Sequence, residues 1–196
     1  IYSGGSGTVV TMNSGGQYIT SGTGTVSTMS GGMQDISSGT GTISTMLGGA
    51  QLVESGGSGI VSTLSGGTQI IVEQGSGTVS AMNGGTQMIS SGGIGTVSTV
   101  SGGMQEIVSG TGMISTMNSG MQNIRAGGTG TVSTLSGGSQ SIAGGGTGTV
   151  DIMSGGMQDI SSGGTGTVNT MSGGVQLIYS GAAGTVSTML GGAQLV

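Results

Sequence analysis

One short motif recurs along the whole chain and limits the folds that the chain can adopt. Setting every G-[TIM]-[VI] in register places eleven glycines 17 or 18 residues apart, and a glutamine stands ten residues after each of them. These leading glycines are Gly7, Gly24, Gly41, Gly59, Gly77, Gly95, Gly112, Gly130, Gly148, Gly166 and Gly184. The glutamine column is Gln17, Gln34, Gln51, Gln69, Gln87, Gln105, Gln122, Gln140, Gln158, Gln176 and Gln194. The one-residue variation always falls between a glutamine and the next leading glycine, which marks a loop that tolerates changes in length.

Three apolar columns accompany the repeat. Val or Ile stands two residues after each leading glycine, Met, Leu or Val follows three residues later, and Ile or Val stands two residues after each glutamine. The paired glycines interrupt any 3.6-residue spacing of apolar residues, so the sequence does not indicate helices. Short runs of β-branched residues between Gly-rich turns are typical of strands. One repeat cannot bury its own apolar side chains, but repeats stacked about 4.8 Å apart can.

The sequence therefore predicts an all-β fold. Residues 1–196 are expected to form a single right-handed parallel β-helix, a solenoid of about eleven rungs of 17–18 residues. A left-handed hexapeptide helix is disfavoured because it needs an apolar residue at every sixth position, and the intervals here are three, seven and eight. The array has no capping segment, so we expect it to be a fragment of a longer array.

The glutamine column and the paired glycines lead to two further predictions. Alternation from the inward Ile places each Gln inside the coil, where its amide can bond to the Gln of the rungs above and below. A polar binding groove is the functional alternative. The second glycine of each GG pair, such as Gly85, is expected at a tight corner that needs a positive φ or the absence of a Cβ.

Charge and composition argue against several function classes. The chain has one basic residue, Arg125, and a formal net charge of −5, so no basic surface is available for nucleic acid. The apolar residues occupy fixed positions, which a flexible Gly/Ser linker would not require. No apolar run is long enough to predict a membrane span in this segment. The chain also lacks Cys and His, which provide disulfides, thiolate metal ligands and Ser–His pairs.

The acidic residues do not form a catalytic or metal-binding pattern. They are Asp35, Glu54, Glu73, Glu106, Asp151 and Asp159. No two of them occupy one column in adjacent rungs, and a calcium-binding β-roll would place an Asp in every repeat. The Met residues are interpreted mainly as core filler and not as copper ligands. We therefore expect no enzyme activity, no catalytic residue, no cofactor and no metal site.

What remains for function is a long surface rich in hydroxyl groups. Thr and Ser flank the buried Val in most rungs, as Thr25 and Ser27 do, and this face could associate with an identical face, carry O-linked sugars or order water. An alternative function is ice or carbohydrate binding on a flat Thr/Ser face. The residues Ile60, Met113, Asp151 and Asn169 interrupt that face and argue mildly against the alternative.

The amino-acid sequences of the repeats resemble those of a known family. The segments SGGMQDISSGGTGTVNTM (154–171), SGGMQEIVSGTGMISTM (101–117) and SGGTQIIVEQGSGTVSAM (65–82) are similar to the AIDA-type repeats of self-associating bacterial autotransporter adhesins. The resemblance covers essentially all of the chain. It implies a β-helical passenger domain that is translocated through the outer membrane and displayed on the cell surface. It also implies a virulence-associated function in autoaggregation, biofilm formation and host-cell adhesion.

The resemblance further implies partners and a modification. The expected partners are copies on neighbouring cells, the host-cell surface and a heptosyltransferase that glycosylates serines. The serines proposed as acceptors precede the Gly corners, and they are Ser30, Ser65, Ser101, Ser136, Ser154 and Ser172.

Overall fold

A computed structural model describes all 196 residues and contains 22 strands and no helix. Each coil has one long strand followed by one short strand. The long strands are β1 (Ser6–Met12), β3 (Thr23–Met29), β5 (Thr40–Met46), β7 (Ser58–Leu64), β9 (Ser76–Met82), β11 (Ile94–Val100), β13 (Thr111–Met117), β15 (Thr129–Leu135), β17 (Thr147–Met153), β19 (Thr165–Met171) and β21 (Ala183–Met189). The short strands are β2 (Gly16–Ile19), β4 (Met33–Ile36), β6 (Ala50–Val53), β8 (Thr68–Ile71), β10 (Thr86–Ser90), β12 (Met104–Val108), β14 (Met121–Arg125), β16 (Ser139–Ile142), β18 (Met157–Ile160), β20 (Val175–Ile178) and β22 (Ala193–Leu195).

The strands form two parallel sheets of eleven strands each. Sheet A holds all the long strands and sheet B all the short strands, and within each sheet the strands lie in chain order. Equivalent residues pair in register, so that Val26 lies beside Ile43, and Ile89 beside Ile107. The predicted parallel β-solenoid of about eleven rungs is confirmed, and its right hand stays a prediction. We number the coils 1 to 11, so that coil 5 contains β9 and β10.

The apolar columns form two stacks inside the solenoid. The Val and Met columns of sheet A make one cluster of 19 buried residues, and the Ile column of sheet B makes another of nine. The sequence predicted the stacking but not this division. The alternation of inward and outward side chains breaks between Val26 and Met29, since these two residues are three positions apart and both are buried. The Cα pairing with the next coil also omits Ser27, so we infer that the strand bends at this residue.

The glutamine column lies inside the coil and forms a continuous ladder, as predicted. Each Nε2 donates to the Oε1 of the Gln in the preceding coil, through ten bonds of 2.6 to 2.7 Å. Gln34 to Gln176 of this column are completely buried. Most of the Nε2 atoms also donate to a main-chain oxygen of sheet A, as Gln105 does to Gly95 at 3.4 Å. The ladder therefore ties the two sheets together as well as the coils.

The leading glycine makes room for this ladder, a role that the sequence did not reveal. It lies inside the coil, opposite the Gln and Ile of sheet B. A Cβ built on Gly95 would lie 2.4 Å from the Cδ1 atom of Ile89 and 2.7 Å from the Oε1 atom of Gln87. No side chain fits at this position without displacing the Ile column or the Gln ladder of sheet B.

The paired glycines form the corner between sheets A and B. The glycine two residues before each Gln of the column has a φ between +70° and +87°, which confirms the positive φ predicted for this corner. A Cβ on Gly103 would also lie 2.6 Å from the carbonyl oxygen of Gly85 in the coil below. The variation in repeat length lies at the other corner, after the short strand, as predicted. There Ser91 and Gly92 reverse the chain with φ values of 51° and 80°.

Substitution of a leading glycine tests how tightly the two sheets pack. We expect Gly95→Ala to lower the free energy of unfolding by about 1–3 kcal/mol because the new methyl group overlaps Ile89. The outward neighbour supplies the control, since Thr96→Ala should cost at most about 1 kcal/mol. Urea unfolding followed by circular dichroism measures both values.

Adding Ile89→Ala to Gly95→Ala removes the Cδ1 and Cγ1 atoms of Ile89, which lie 2.4 and 2.8 Å from the new methyl group. The double variant should therefore lose less stability than the sum of the two single variants. Strictly additive losses would show that Gly95 does not make space for Ile89.

Candidate functional surfaces

The outside of the rod is the surface available for function. The structure has no pocket and no group of three His, Cys, Asp or Glu residues that could hold a metal ion. It also has no helix of the length and hydropathy that a membrane span requires. Three parts of the outside are distinct: the outer face of sheet A, the corner after each long strand, and the outer face of sheet B.

The outer face of sheet A, which we call the hydroxyl face, carries rows of Thr and Ser. Thr25 lies beside Thr42, and Thr131 beside Thr149, because the strands pair in register. Ile60 and Met113 interrupt the first Thr row. In the adjacent Ser row, Asn169 donates from Nδ2 to the Oδ1 atom of Asp151 at 3.0 Å. The hydroxyl groups of one row thus repeat along the rod at the strand spacing of about 4.8 Å. Each long strand bends at its residue in the Ser row.

The corner after each long strand holds the serines that the sequence singled out. All six are exposed and directly follow a buried Met, Leu or Val, and they occupy equivalent positions in their coils. We call this row the serine corner, and its members are Ser30, Ser65, Ser101, Ser136, Ser154 and Ser172.

Main-chain bonds hold the serine corner in place. The N–H of Ser154 donates to the carbonyl oxygen of Leu135 in the coil below, and the N–H of Ser172 donates in the same way to Met153. The hydroxyl groups of Ser136 and Ser154 lie 3.5 Å apart. The backbone is therefore fixed while the side chains face solvent, and glycosylation of these serines stays a prediction.

The outer face of sheet B, which we call the variable face, differs from the hydroxyl face. It consists of the residues before and after each Gln and the residue after each inward Ile. Leu52, Ile70 and Met88 stack there on successive coils, and Val72 and Val108 lie in the next column. Sequence reasoning concentrated on the Thr and Ser rows and missed this apolar patch, although alternation from the Gln column identifies its members.

Most of the charged residues also lie on the variable face. Arg125 forms an ion pair with Glu106 of the preceding coil, and the Arg side chain remains 50% exposed. Ser37 Oγ lies 3.5 Å from Glu54 Oε2. The Oδ1 atom of Asp35 is buried and has no hydrogen-bond partner. The acids never occupy one column in adjacent coils, as the sequence indicated, so like charges are not stacked at the strand spacing.

Comparisons with family models, with curated proteins and with solved structures gave no match for this chain. The assignment of a function therefore depends on the geometry of these three surfaces and on the amino-acid sequences of the repeats.

Proposed function

We propose that the chain is a stalk segment of a bacterial surface adhesin of the autotransporter type. In this proposal the protein reaches the cell exterior through the outer membrane and mediates autoaggregation, biofilm formation and adhesion to host cells. The observation that carries the proposal is the uninterrupted rod. Eleven coils in register give a rod about 50 Å long, along which the outer faces of both sheets are continuous.

A rod of this kind is suited to adhesion by many weak contacts. Each coil presents its outward side chains beside the equivalent side chains of its neighbours, because both sheets are parallel and in register. When one coil has bound the opposing surface, the next coil is already held close to its binding position on that surface. The later contacts therefore form at a high effective concentration. Affinity can then increase with the number of coils without any single strong site.

Exposure of the serine corner supports glycosylation as part of this function. A transferase needs an accessible hydroxyl group, and Ser30, Ser65 and Ser101 are exposed. Sugars at this corner would add hydrophilic bulk along one edge of the rod and leave the faces of both sheets uncovered. The modifying enzyme in this proposal is a heptosyltransferase.

A second candidate function is ice or carbohydrate binding on the hydroxyl face. The in-register Thr rows favour it, because they repeat hydroxyl groups at a constant spacing. The bend at Ser27 and the apolar residues Ile60 and Met113 disfavour it, because they make the face neither flat nor uniform. Thermal hysteresis in a solution of the purified chain would favour this candidate over the adhesin.

Removal of whole coils tests the adhesin proposal. Deleting residues 77–94 removes one repeat of 18 residues and joins Ser76 to Gly95 in register. In a series of such deletions, displayed on a bacterium that does not aggregate by itself, we expect clumping to weaken progressively as coils are lost. Settling of the cell suspension measures clumping, and flow cytometry controls for equal display. Unchanged clumping after most coils are removed would contradict the proposal.

The mass of the protein from its native host tests the modification. In peptides cut from residues 1–196 of that protein, we expect masses above the values of the sequence in steps of one sugar, because the serine corner is exposed. Replacing the six serines of the corner by Ala should abolish the excess. A matched control replaces six exposed serines of the hydroxyl face by Ala, namely Ser44, Ser62, Ser80, Ser98, Ser115 and Ser133. An unmodified protein, or an excess lost only in the control, would contradict glycosylation at the corner.

A further inference from the structure

One outward column of the variable face carries three apolar residues between two acids. Leu52, Ile70 and Met88 occupy it in coils 3, 4 and 5, with Asp35 before them in coil 2 and Glu106 after them in coil 6. We call Leu52, Ile70 and Met88 the Leu–Ile–Met column. Met88 is 37% exposed, and the two other side chains are half-buried. Apolar side chains at a surface with a polar border mark interaction sites.

Three acids without a basic partner lie at one end of the Leu–Ile–Met column. Asp35 is in coil 2, Glu54 directly follows β6 in coil 3, and Glu73 lies at the corner after β8 in coil 4. The only basic side chain of the protein, Arg125, is paired with Glu106 at the other end. The column therefore has a negatively charged end, in coils 2 to 4, and an end whose charge is balanced, in coils 6 and 7.

We propose that this surface binds a cationic amphipathic helix of another polypeptide. The helix lies along the rod, with its apolar side on the Leu–Ile–Met column and its Lys or Arg side chains at the acidic end. Charge complementarity selects such a partner over a second copy of the chain, which has a net charge of −5 and no unpaired basic side chain. The inference goes beyond the proposed adhesin and does not depend on it.

The spacing of the column favours a helix over an extended segment. The column runs along the rod and across the strands, so its side chains follow one another at about 4.8 Å. One face of an α-helix presents side chains at i, i+3 and i+4, which are separated by a rise of about 4.5 to 6 Å. An extended segment presents them at every second residue, about 6.6 Å apart. A helix can therefore place one apolar side chain over each coil of the column.

The two acids that end the column set the length of the helix. Asp35 and Glu106 are four coils apart, which at the strand spacing is about 19 Å. About 13 helical residues cover that distance. The contact is therefore a helix of three to four turns.

The apolar and the charged contacts are both needed for this binding. Exposed ion pairs contribute little by themselves, and three partly exposed side chains offer a small apolar area. The acids at one end also fix the orientation of the helix and accelerate the encounter with a cationic partner. Binding should therefore weaken when either the apolar column or the acids are altered.

Fluorescence anisotropy with the purified 196-residue chain tests the proposal. The probe is a labelled amphipathic peptide of about 18 residues, long enough to cover the column, with Leu on one face and Lys near one end. A matched probe carries Glu in place of Lys. We expect the Lys probe to bind, and the Glu probe to bind at least about tenfold more weakly, because its charge has the same sign as the acidic end.

A Lys in the middle of the column tests the position of the site. Ile70→Lys should raise the Kd of the Lys probe by at least about tenfold, because it removes an apolar contact and repels the probe. Ile60→Lys is the matched control, since Ile60 is also half-buried and lies in the same coil on the hydroxyl face. It should leave the Kd unchanged. Circular dichroism verifies that both variants fold.

Removal of two carboxylates tests the acidic end without adding a charge. The double variant Glu54→Gln, Glu73→Gln should raise the Kd of the Lys probe by about fivefold. The double variant Asp151→Asn, Asp159→Asn has the same net charge, but both of its changes lie in coil 9, away from the column. It should leave the Kd unchanged.

Absence of binding of the Lys probe, or equal binding of the Lys and Glu probes, would overturn the inference. Equal losses in Ile70→Lys and Ile60→Lys, or in the two double variants, would overturn it as well. All these measurements use the isolated chain and a peptide, so their failure leaves the proposed adhesin standing. Loss of the adhesin proposal in the clumping assay would likewise leave the peptide site standing.

Discussion

The stacking of identical residues in register is the constraint on which the rest of this structure depends. Each inward position must be compatible with a copy of itself at about 4.8 Å above and below. Aliphatic side chains satisfy this condition by packing, and a carboxylate or ammonium group does not. The amide of Gln satisfies it because the group is both donor and acceptor, so each buried amide bonds to the next. A buried polar column is therefore stable only as an unbroken ladder.

The glycines follow from the same constraint. Inside the coil, the leading glycine leaves the space that the Gln and Ile side chains of sheet B occupy, as the close approach of Ile89 to Gly95 demonstrates. At the corner, Gly103 needs both a positive φ and the absence of a Cβ, because the carbonyl of Gly85 lies directly below. Outward residues have no such restriction, which allows the variable face to differ from coil to coil. Function in this molecule is therefore expected on the outside.

The sequence predicted the parts of the fold that repetition makes visible. The Val, Met and Ile columns, the Gln ladder and the GG corner all follow from residue types recurring at a fixed spacing, and the structure confirms them. The bend at Ser27 and the steric role of Gly95 were not predicted, because both depend on the distance between the two sheets. The candidate surfaces were predicted less completely. The serine corner is exposed as expected, whereas the pair of Arg125 with Glu106 and the apolar patch on sheet B require the register of the short strands.

Hydrogen exchange of the glutamine side-chain amides tests the ladder most directly. The chain contains one glutamine outside the column, Gln74, which is exposed at a corner and serves as an internal reference. In a sample labelled with ¹⁵N in the side chains, the amide protons of Gln34 to Gln176 in the column should exchange with solvent deuterium only as slowly as the strand backbone. Those of Gln74 should exchange at the rate of a free peptide. Equally rapid exchange of the column and of Gln74 would contradict a buried, continuous ladder and the in-register stacking that it requires.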